Sequence, residues 1–448
     1  MNYRNLFRTV SIFIFVFASF RMEAQTVSSI YAGTKTPYLE PGPDHTAPPK
    51  NYKPVFVNYV GRHGARFMTK SGADKQALDL LEQADKEHTL TYEGQLIKRS
   101  VQKMLMIQQT GYEKITKLGA QEQTDIGKRI YDHYKSAFSG RGIRVQYTFK
   151  IRTQQSANAF LSAYQKYKGG IRVDKNTDAA NTALRFYDLS PFYTSYKEGP
   201  EIRRSLDSLN ADPRNGEVVK QVCFKLFTRS FAEQLVSDGR ASRFVENLYD
   251  LYAAEFAVVD EMKSRGFTAD SINLRMAFSE TSLEWLDFKS GAADFLEKGP
   301  GRNAAGIQVT VAVPLLIDFL NTTDSAITNK DADARFRFTH AEAISPFATL
   351  LAISLASKPS STIFGYADHW KTEEIIPLSA NIQWILYSDG NRYLIKVLLN
   401  EREIRLPIRS ATAPYYDWND FRKFYLEKLS AIHVNPDMDM LGYLKTLQ

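Results

Sequence analysis

Val55-Phe56-Val57-Asn58-Tyr59-Val60-Gly61-Arg62-His63-Gly64-Ala65-Arg66 runs from an apolar stretch directly into a cationic cluster. The first six residues are mainly β-branched or aromatic and are bounded by Pro54 and Gly61, which is the pattern of a short buried strand. The turn carrying Arg62, His63 and Gly64 therefore leaves the end of a strand. On average composition, Arg-His-Gly-x-Arg arises by chance in a chain of this length on the order of a few times per thousand.

Two more junctions share this character. Residues 144–149 read as a strand followed by a helix that Thr153 caps, with Arg152 one residue before the cap. Residues 334–338 alternate like a strand and lead through Thr339-His340-Ala341-Glu342 into an apolar helix that reaches Leu355. In α/β sheets such strand ends are where anions bind, because helix N-termini present N–H groups and a positive dipole end.

If the three junctions meet, the pocket holds three guanidiniums, two imidazoles and one carboxylate. Guanidinium forks match phosphate oxygens and keep their charge. Their field keeps a histidine neutral and nucleophilic, and a nearby carboxyl can protonate a leaving oxygen and then activate water. Taken alone, His340 reads more often as a structural hydrogen-bonding residue at a helix start, and Arg152 as a solvated surface arginine.

Around these junctions, apolar spacing predicts two helices over residues 74–109 with a break near Thr89 and Gly94. It predicts another helix capped by Thr116, and a hairpin from residues 382–387 and 393–399 about an Asp389-Gly390 turn. Asp417 opens a last helix through His433. Between residues 190 and 298 strand signals fade and helical patterns dominate. The expected organisation is an α/β domain in two pieces, 25–190 and 305–448, with an α-helical insertion domain at 191–304.

The 448 residues are 44% hydrophobic and 12% aromatic with a net charge of +7, a globular composition that favours anionic partners without choosing among them. Basic residues are mixed with acids throughout, which argues against a nucleic-acid partner. Arg4 and Arg8 precede an apolar run over residues 10–20 and a small-residue cleavage pattern at Ala24, so residues 1–24 read as a signal peptide. The expectation is export to a bacterial periplasm or beyond, with no membrane anchor after cleavage. Cys223 is the single cysteine and reads as a buried apolar residue. The remaining histidines lack metal-ligand spacing, so no cofactor is expected. Gly299 to Gly306 lacks the Gly-Lys-Ser/Thr ending of a phosphate loop and reads as a connection.

Arg62-His63-Gly64-Ala65-Arg66 resembles the signature of the histidine acid phosphatases. Thr116-x-x-Gly119 with Ile126-Gly127 looks like that family's next block, and Arg152-Thr153-x-x-Ser156-Ala157-x-x-Phe160 like the block supplying a third phosphate-binding arginine. His340-Ala341-Glu342, in place of the commoner His-Asp, is similar to the multiple inositol-polyphosphate phosphatase branch. Residues 184–188, 299–316 and 397–401 look like that branch as well.

The resemblance implies a phosphoglycerate-mutase-like α/β domain with a helical insertion, and metal-independent hydrolysis of inositol hexakisphosphate. It implies His63 as nucleophile, Arg62, Arg66, Arg152 and His340 as phosphoryl-binding groups, and Glu342 as proton donor. Lys70, Arg185 and Lys197 are candidates for outer phosphate contacts. Met68 departs from the family, standing where many members have proline. A broad acid phosphatase or sugar-phosphate phosphatase on the same residues, and an exported protein that binds phosphate esters without turnover, are the other readings.

Overall fold

A computed structural model describes residues 30–42, 45–174, 181–268 and 271–447; the expected signal peptide lies outside them. The strands in chain order are β1 (Lys53–Arg62), β2 (Ile143–Tyr147), β3 (Ile171–Asp174), β4 (Ala334–Thr339), β5 (Asn381–Ser388), β6 (Tyr393–Leu399), β7 (Arg402–Glu403) and β8 (Tyr415–Asp417). They form one mixed sheet in the order β3-β2-β4-β1-β5-β6-β7, with β8 also on β6. β1 is central, parallel to β4 on one side and antiparallel to β5 on the other.

Alternation along β1 divides the core. Val57 and Tyr59 join a cluster with Ile126, Phe160, Phe336 and Phe338, beneath helices α3 (Lys117–His133) and α4 (Ile151–Leu161). Val60 faces the larger cluster on the opposite side with Phe319, Phe347 and Trp384. Helices α1 (Ala73–Lys86) and α2 (Tyr92–Gln108) precede α3, with the expected break between them. Thr91 and Thr116 cap α2 and α3 by accepting from the N–H groups of Gly94 and Gly119.

Between β3 and β4 the described residues hold helices and no strand of the sheet. These are α5 (Thr182–Leu189), α6 (Pro191–Lys197), α7 (Pro200–Asn210), α8 (Pro213–Leu226), α9 (Arg229–Ser237), α10 (Arg240–Glu255), α11 (Val259–Ser264), α12 (Glu280–Lys298), α13 (Ile307–Thr310) and α14 (Val313–Thr328). No described helix is long and apolar enough to cross a membrane. Cys223 is fully buried in α8, and burial pushes its thiol up to about 12, as expected of an inert apolar residue.

Three local expectations are corrected. Thr153 does not cap α4: its hydroxyl donates to the carbonyls of Thr148 and Lys150, so Lys150 takes the cap position and Arg152 lies within the first turn. The helix after His340, α15 (Ala341–Leu350), stops five residues before Leu355, where Ala352 turns left-handed at φ 59°. The helix opened by Asp417, α17 (Trp418–Ala431), is not the last, because α18 (Met440–Thr446) follows it, capped by Asp439. The short α16 (Thr372–Ile375) precedes β5.

Phe160 ties α4 to the sheet: it is fully buried, with its ring 4.9 Å from Phe336 and 5.0 Å from Tyr59. Phe160→Ala is expected to lower the unfolding free energy by about 3–5 kcal/mol, read from the denaturant midpoint at an unchanged slope. A loss below about 1 kcal/mol would show that this cluster does not hold α4 in place.

Candidate active site

The register of β1 against β4 builds the site. Arg62 lies opposite Thr339, so the chain leaves both strands at one level and delivers His63 and His340 side by side. The His63 N–H donates to the Thr339 carbonyl at 3.0 Å, and the two rings stand 5.4 Å apart. β2 adds the third junction, since Tyr147 lies opposite Phe338. The hydroxyl of Thr148, the next residue, sits 3.0 Å from His340 Nε2. All three junctions thus converge at the carboxyl ends of parallel strands.

The turn after β1 is held by backbone contacts. Gly64 donates its N–H to Ser156 Oγ at 3.0 Å, and that hydroxyl donates to the Arg152 carbonyl at 2.7 Å, joining the His63 loop to α4. Any Cβ on Gly119 would lie 2.0 Å from the Ala65 carbonyl oxygen, so only glycine lets α3 start this close. Buried Glu122 accepts from the N–H of Ala65 at 2.9 Å and from Ser379 Oγ at 2.7 Å. Met68 also has a purpose. Its N–H donates to Gln108 Oε1 at 2.7 Å, a bond that proline could not make.

His63 is 3% exposed, and its Nδ1 donates to the Gly64 carbonyl at 2.9 Å. A carbonyl only accepts, so the proton is on Nδ1 and Nε2 carries the lone pair. Burial, then the charges of Arg62 and Arg66, then His340 and Arg152, hold the imidazole well below its ordinary range, which keeps it neutral. Burial, followed by the Arg152 charge, likewise takes His340 down to about 3.

Arg62 is oriented by the carbonyls of Thr34 and Ile376, each accepting from Nη1 at 2.6 Å. Burial lowers Arg62 and Arg66 to about 10, and both stay charged. Among the described residues, Nε of Arg62, Nε of Arg66, Nε and Nη1 of Arg152 and Nδ1 of His340 are buried without a hydrogen-bond partner. Five such atoms at one pole of the sheet form a receptor for an oxyanion, because buried donors left unpaired are costly.

Glu342, in the first turn of α15, has a side chain 39% exposed. Removal from water works to raise its carboxyl, but Lys298, His340, its own N–H and Arg62 outweigh that and hold it down at about 2. Tyr187, 7% exposed, lays its ring against His340 with centroids 6.0 Å apart. Arg185 on α5 stacks on Phe149 at 4.6 Å and pairs with Asp188 at 3.3 Å, and Lys197 at the end of α6 lies over the Tyr193 ring at 4.8 Å. Lys70 is exposed on the loop before α1, and no hydrogen bond or ion pair among the described residues ties it to the cluster.

Sequence reasoning missed Thr34, Glu122, Tyr187 and Lys298. Thr34 lies in the segment before β1, and Lys298 ends a helix where a lysine ordinarily serves the helix dipole in solvent. Neither carries a local signal. Among the described residues no group of three or more His, Cys, Asp or Glu side chains could hold a metal ion.

The model of the histidine phosphatase superfamily (branch 2) matches residues 55–400. The chain belongs to that superfamily. This histidine phosphatase is similar in structure to the multiple inositol polyphosphate phosphatase of Bifidobacterium longum in complex with inositol hexasulfate. The TM-score is 0.75 at 21% identity, covering 87% of this chain and 96% of that one. The phosphate complex of the same enzyme gives 0.75 at 19%, covering 89% and 98%. The phytase from D. castellii gives 0.62 at 15%, covering 90% and 85%. These likenesses establish the histidine phosphatase fold. A search of curated protein sequences finds no match.

An anion entering this histidine phosphatase neutralises the charges that depress His63, His340 and Glu342, so their proton affinities rise. Sulfate binding near pH 4 is expected to draw protons into the protein, seen calorimetrically as a binding enthalpy that changes with the ionisation enthalpy of the buffer. Buffer-independent enthalpies would contradict this electrostatic picture.

Proposed function

We propose that this histidine phosphatase hydrolyses inositol hexakisphosphate and lower inositol polyphosphates through a phosphohistidine, without a metal cofactor. The observation that carries the reading is the tethered His63. Its Nδ1–H is committed to Gly64, so Nε2 presents a lone pair amid buried guanidinium donors that lack protein partners. A mere binder of phosphate esters needs the arginines but neither a neutral, oriented imidazole nor an acid beside it.

In the first half-reaction Nε2 of His63 forms a bond to phosphorus, the bond from phosphorus to the ester oxygen breaks, and Glu342 gives its proton to that oxygen. In the second, a water oxygen bonds to phosphorus, the N–P bond breaks, and the water proton passes to Glu342. Arg62, Arg66, Arg152 and His340 hold the phosphoryl oxygens throughout and stabilise the charge that develops on them. Glu342 is ionised in the empty site, and the negative charge of the arriving substrate raises its proton affinity, so substrate itself helps to load the acid.

A substrate carrying several phosphates needs further cations around the site, and Arg185 on α5, Lys197 on α6 and Lys70 before α1 are the proposed outer contacts. The similar B. longum enzyme has a structure with inositol hexasulfate, which supports an inositol polyphosphate over a simple monoester. In this proposal residues 191–304 are an insertion domain facing the two-piece α/β domain 25–190 and 305–448 across the cleft. Residues 1–24 direct export to a bacterial periplasm or beyond, and the partner is a small polyanion, with no nucleic acid and no lasting membrane anchor.

The test is phosphate release from inositol hexakisphosphate by the purified protein and by His63→Ala. The variant is expected to lose at least about 10³-fold in kcat, and an alkaline quench during turnover should retain a base-stable phosphohistidine on the wild type alone. Equal rates in the two proteins would overturn the proposal. A kcat/KM for a simple monoester above that for inositol hexakisphosphate would replace the substrate with that of a broad acid phosphatase or sugar-phosphate phosphatase.

A further inference from the structure

Lys298 is the last residue of α12, a position from which a lysine ordinarily extends into water. Here the residue is only 8% exposed. Its ammonium bends back one turn to Asp294 Oδ1 at 2.7 Å and stands 3.8 Å from Glu342 Oε1. The second distance is too long for a hydrogen bond. Lys298 therefore places a fixed positive charge beside the Glu342 carboxylate without occupying the oxygen that must meet substrate or water. Burying an ammonium is costly unless it is paired, and Asp294 supplies that pairing independently of Glu342.

We propose that Lys298 is a positioning residue that governs the proton occupancy of Glu342 and biases the site toward hydrolysis of the phosphoenzyme. This rests on the reading of His63 and Glu342 given above. The two half-reactions ask opposite things of one carboxyl: the acid form delivers a proton to the leaving oxygen, and the carboxylate receives one from water. A permanent cation at 3.8 Å favours the carboxylate and so speeds the second step at the expense of the first. Lys298 neither bonds to the phosphoryl group nor exchanges a proton in either step.

Other charged and titratable groups surround Glu342 from every packed element. Arg62 reaches it from β1, Arg66 from the turn after it and Arg152 from α4, each attracting the carboxylate. His340 lies on the approach to α15, Tyr187 on α5 and Tyr193 on α6. Glu297 and Asp294 come from α12 with negative charge. The arginines are also the groups whose charge a bound phosphate neutralises. With substrate in place Lys298, anchored to Asp294, is the cation left to act on the carboxyl.

The pair Lys298–Asp294 makes a signed test. Lys298→Met removes the cation, so every limb of the kcat–pH profile set by Glu342 should move to higher pH by about one unit. The steady-state fraction of enzyme trapped as phosphohistidine should rise several-fold. Asp294→Asn removes a negative charge and leaves Lys298 to Glu342 alone, so the same limbs should move to lower pH and the trapped fraction should fall. Lys298→Arg, which keeps the charge, should retain the wild-type profile and covers the case in which Lys298→Met does not fold.

Unchanged profiles in both variants, or shifts of the same sign, would overturn the proposal. A raised KM with a wild-type profile in Lys298→Met would do so too and would make Lys298 a phosphate contact. Carboxyl titration of Glu342 by ¹³C NMR, assigned with Glu342→Gln, reads the same effect without turnover. The Glu342 carboxyl should titrate at higher pH in Lys298→Met than in the wild type, by the same margin of about one unit. Absence of phosphate release with a shifted titration sinks the activity and leaves Lys298 in place. Release with unmoved titration and profile does the reverse.

Discussion

The structure depends on the parallel pairing of β1 with β4 in a single register. Because strand side chains alternate, a slip of one residue would turn Val57 and Tyr59 away from their core and separate His63 from His340. A buried polar lock prevents it. Arg337 of β4 is 2% exposed and donates to Asn58 Oδ1 of β1 at 2.6 Å and to Thr322 Oγ1 at 3.1 Å, with Asp318 2.6 Å away. Asn58 in turn donates to the Phe319 carbonyl and to Thr323. Any other register would leave a buried guanidinium without its partners, a loss of about 3–5 kcal/mol. The lock lies on the α14 side of the sheet, away from the chemistry, and fixes where the chemistry sits.

Collecting cations at one pole carries a cost that the fold offsets with neutral acceptors where it can. Arg62 is held by two backbone carbonyls, one from the N-terminal arm and one from the approach to β5. Carbonyl oxygens orient a guanidinium without cancelling its charge, so the field at His63 survives. Glu122 follows the opposite logic. It is negative and close enough to attract Arg62, yet its oxygens are taken up by Tyr38, Ala65 and Ser379, so it stiffens the loop rather than blocking an arginine. The donors left unpaired point to what the site is built to receive.

What could be read from the chain and what could not divide along sequence distance. Arg62, His63 and Arg66 share one turn after one strand, so spacing alone exposes them. The caps at Thr116 and Asp417 and the hairpin about Asp389-Gly390 are local for the same reason. Thr153 misled because its hydroxyl has a choice between a helix N–H and a preceding carbonyl, and the tertiary position of Thr148 decides it. Met68 stands where many family members have proline, and the sequence does not say what that does to the loop. The bond from its N–H to Gln108, forty residues away, is visible only in the folded chain. Thr34, Ile376 and Lys298 act on residues 28, 314 and 44 positions distant, and nothing in their neighbours announces it.

That distribution has a physical consequence for how the site responds to damage. Arg62 takes one carbonyl from residue 34 and another from residue 376, Ala65 is held by Glu122, and Glu342 stands next to the end of α12. No contiguous segment contains the geometry. Arg-His-Gly-x-Arg placed at the end of another strand would reproduce a basic turn but neither the tautomer of His63 nor the orientation of Arg62. Those follow from the closure of the turn by Gly64 and Gly119 and from carbonyls supplied by distant chain. Loosening the arm near residue 34 therefore weakens the same arginine as loosening the loop near residue 376, and the two effects should combine non-additively because they share one guanidinium. The motif marks where the site is, and the long-range contacts decide whether its groups are oriented to work.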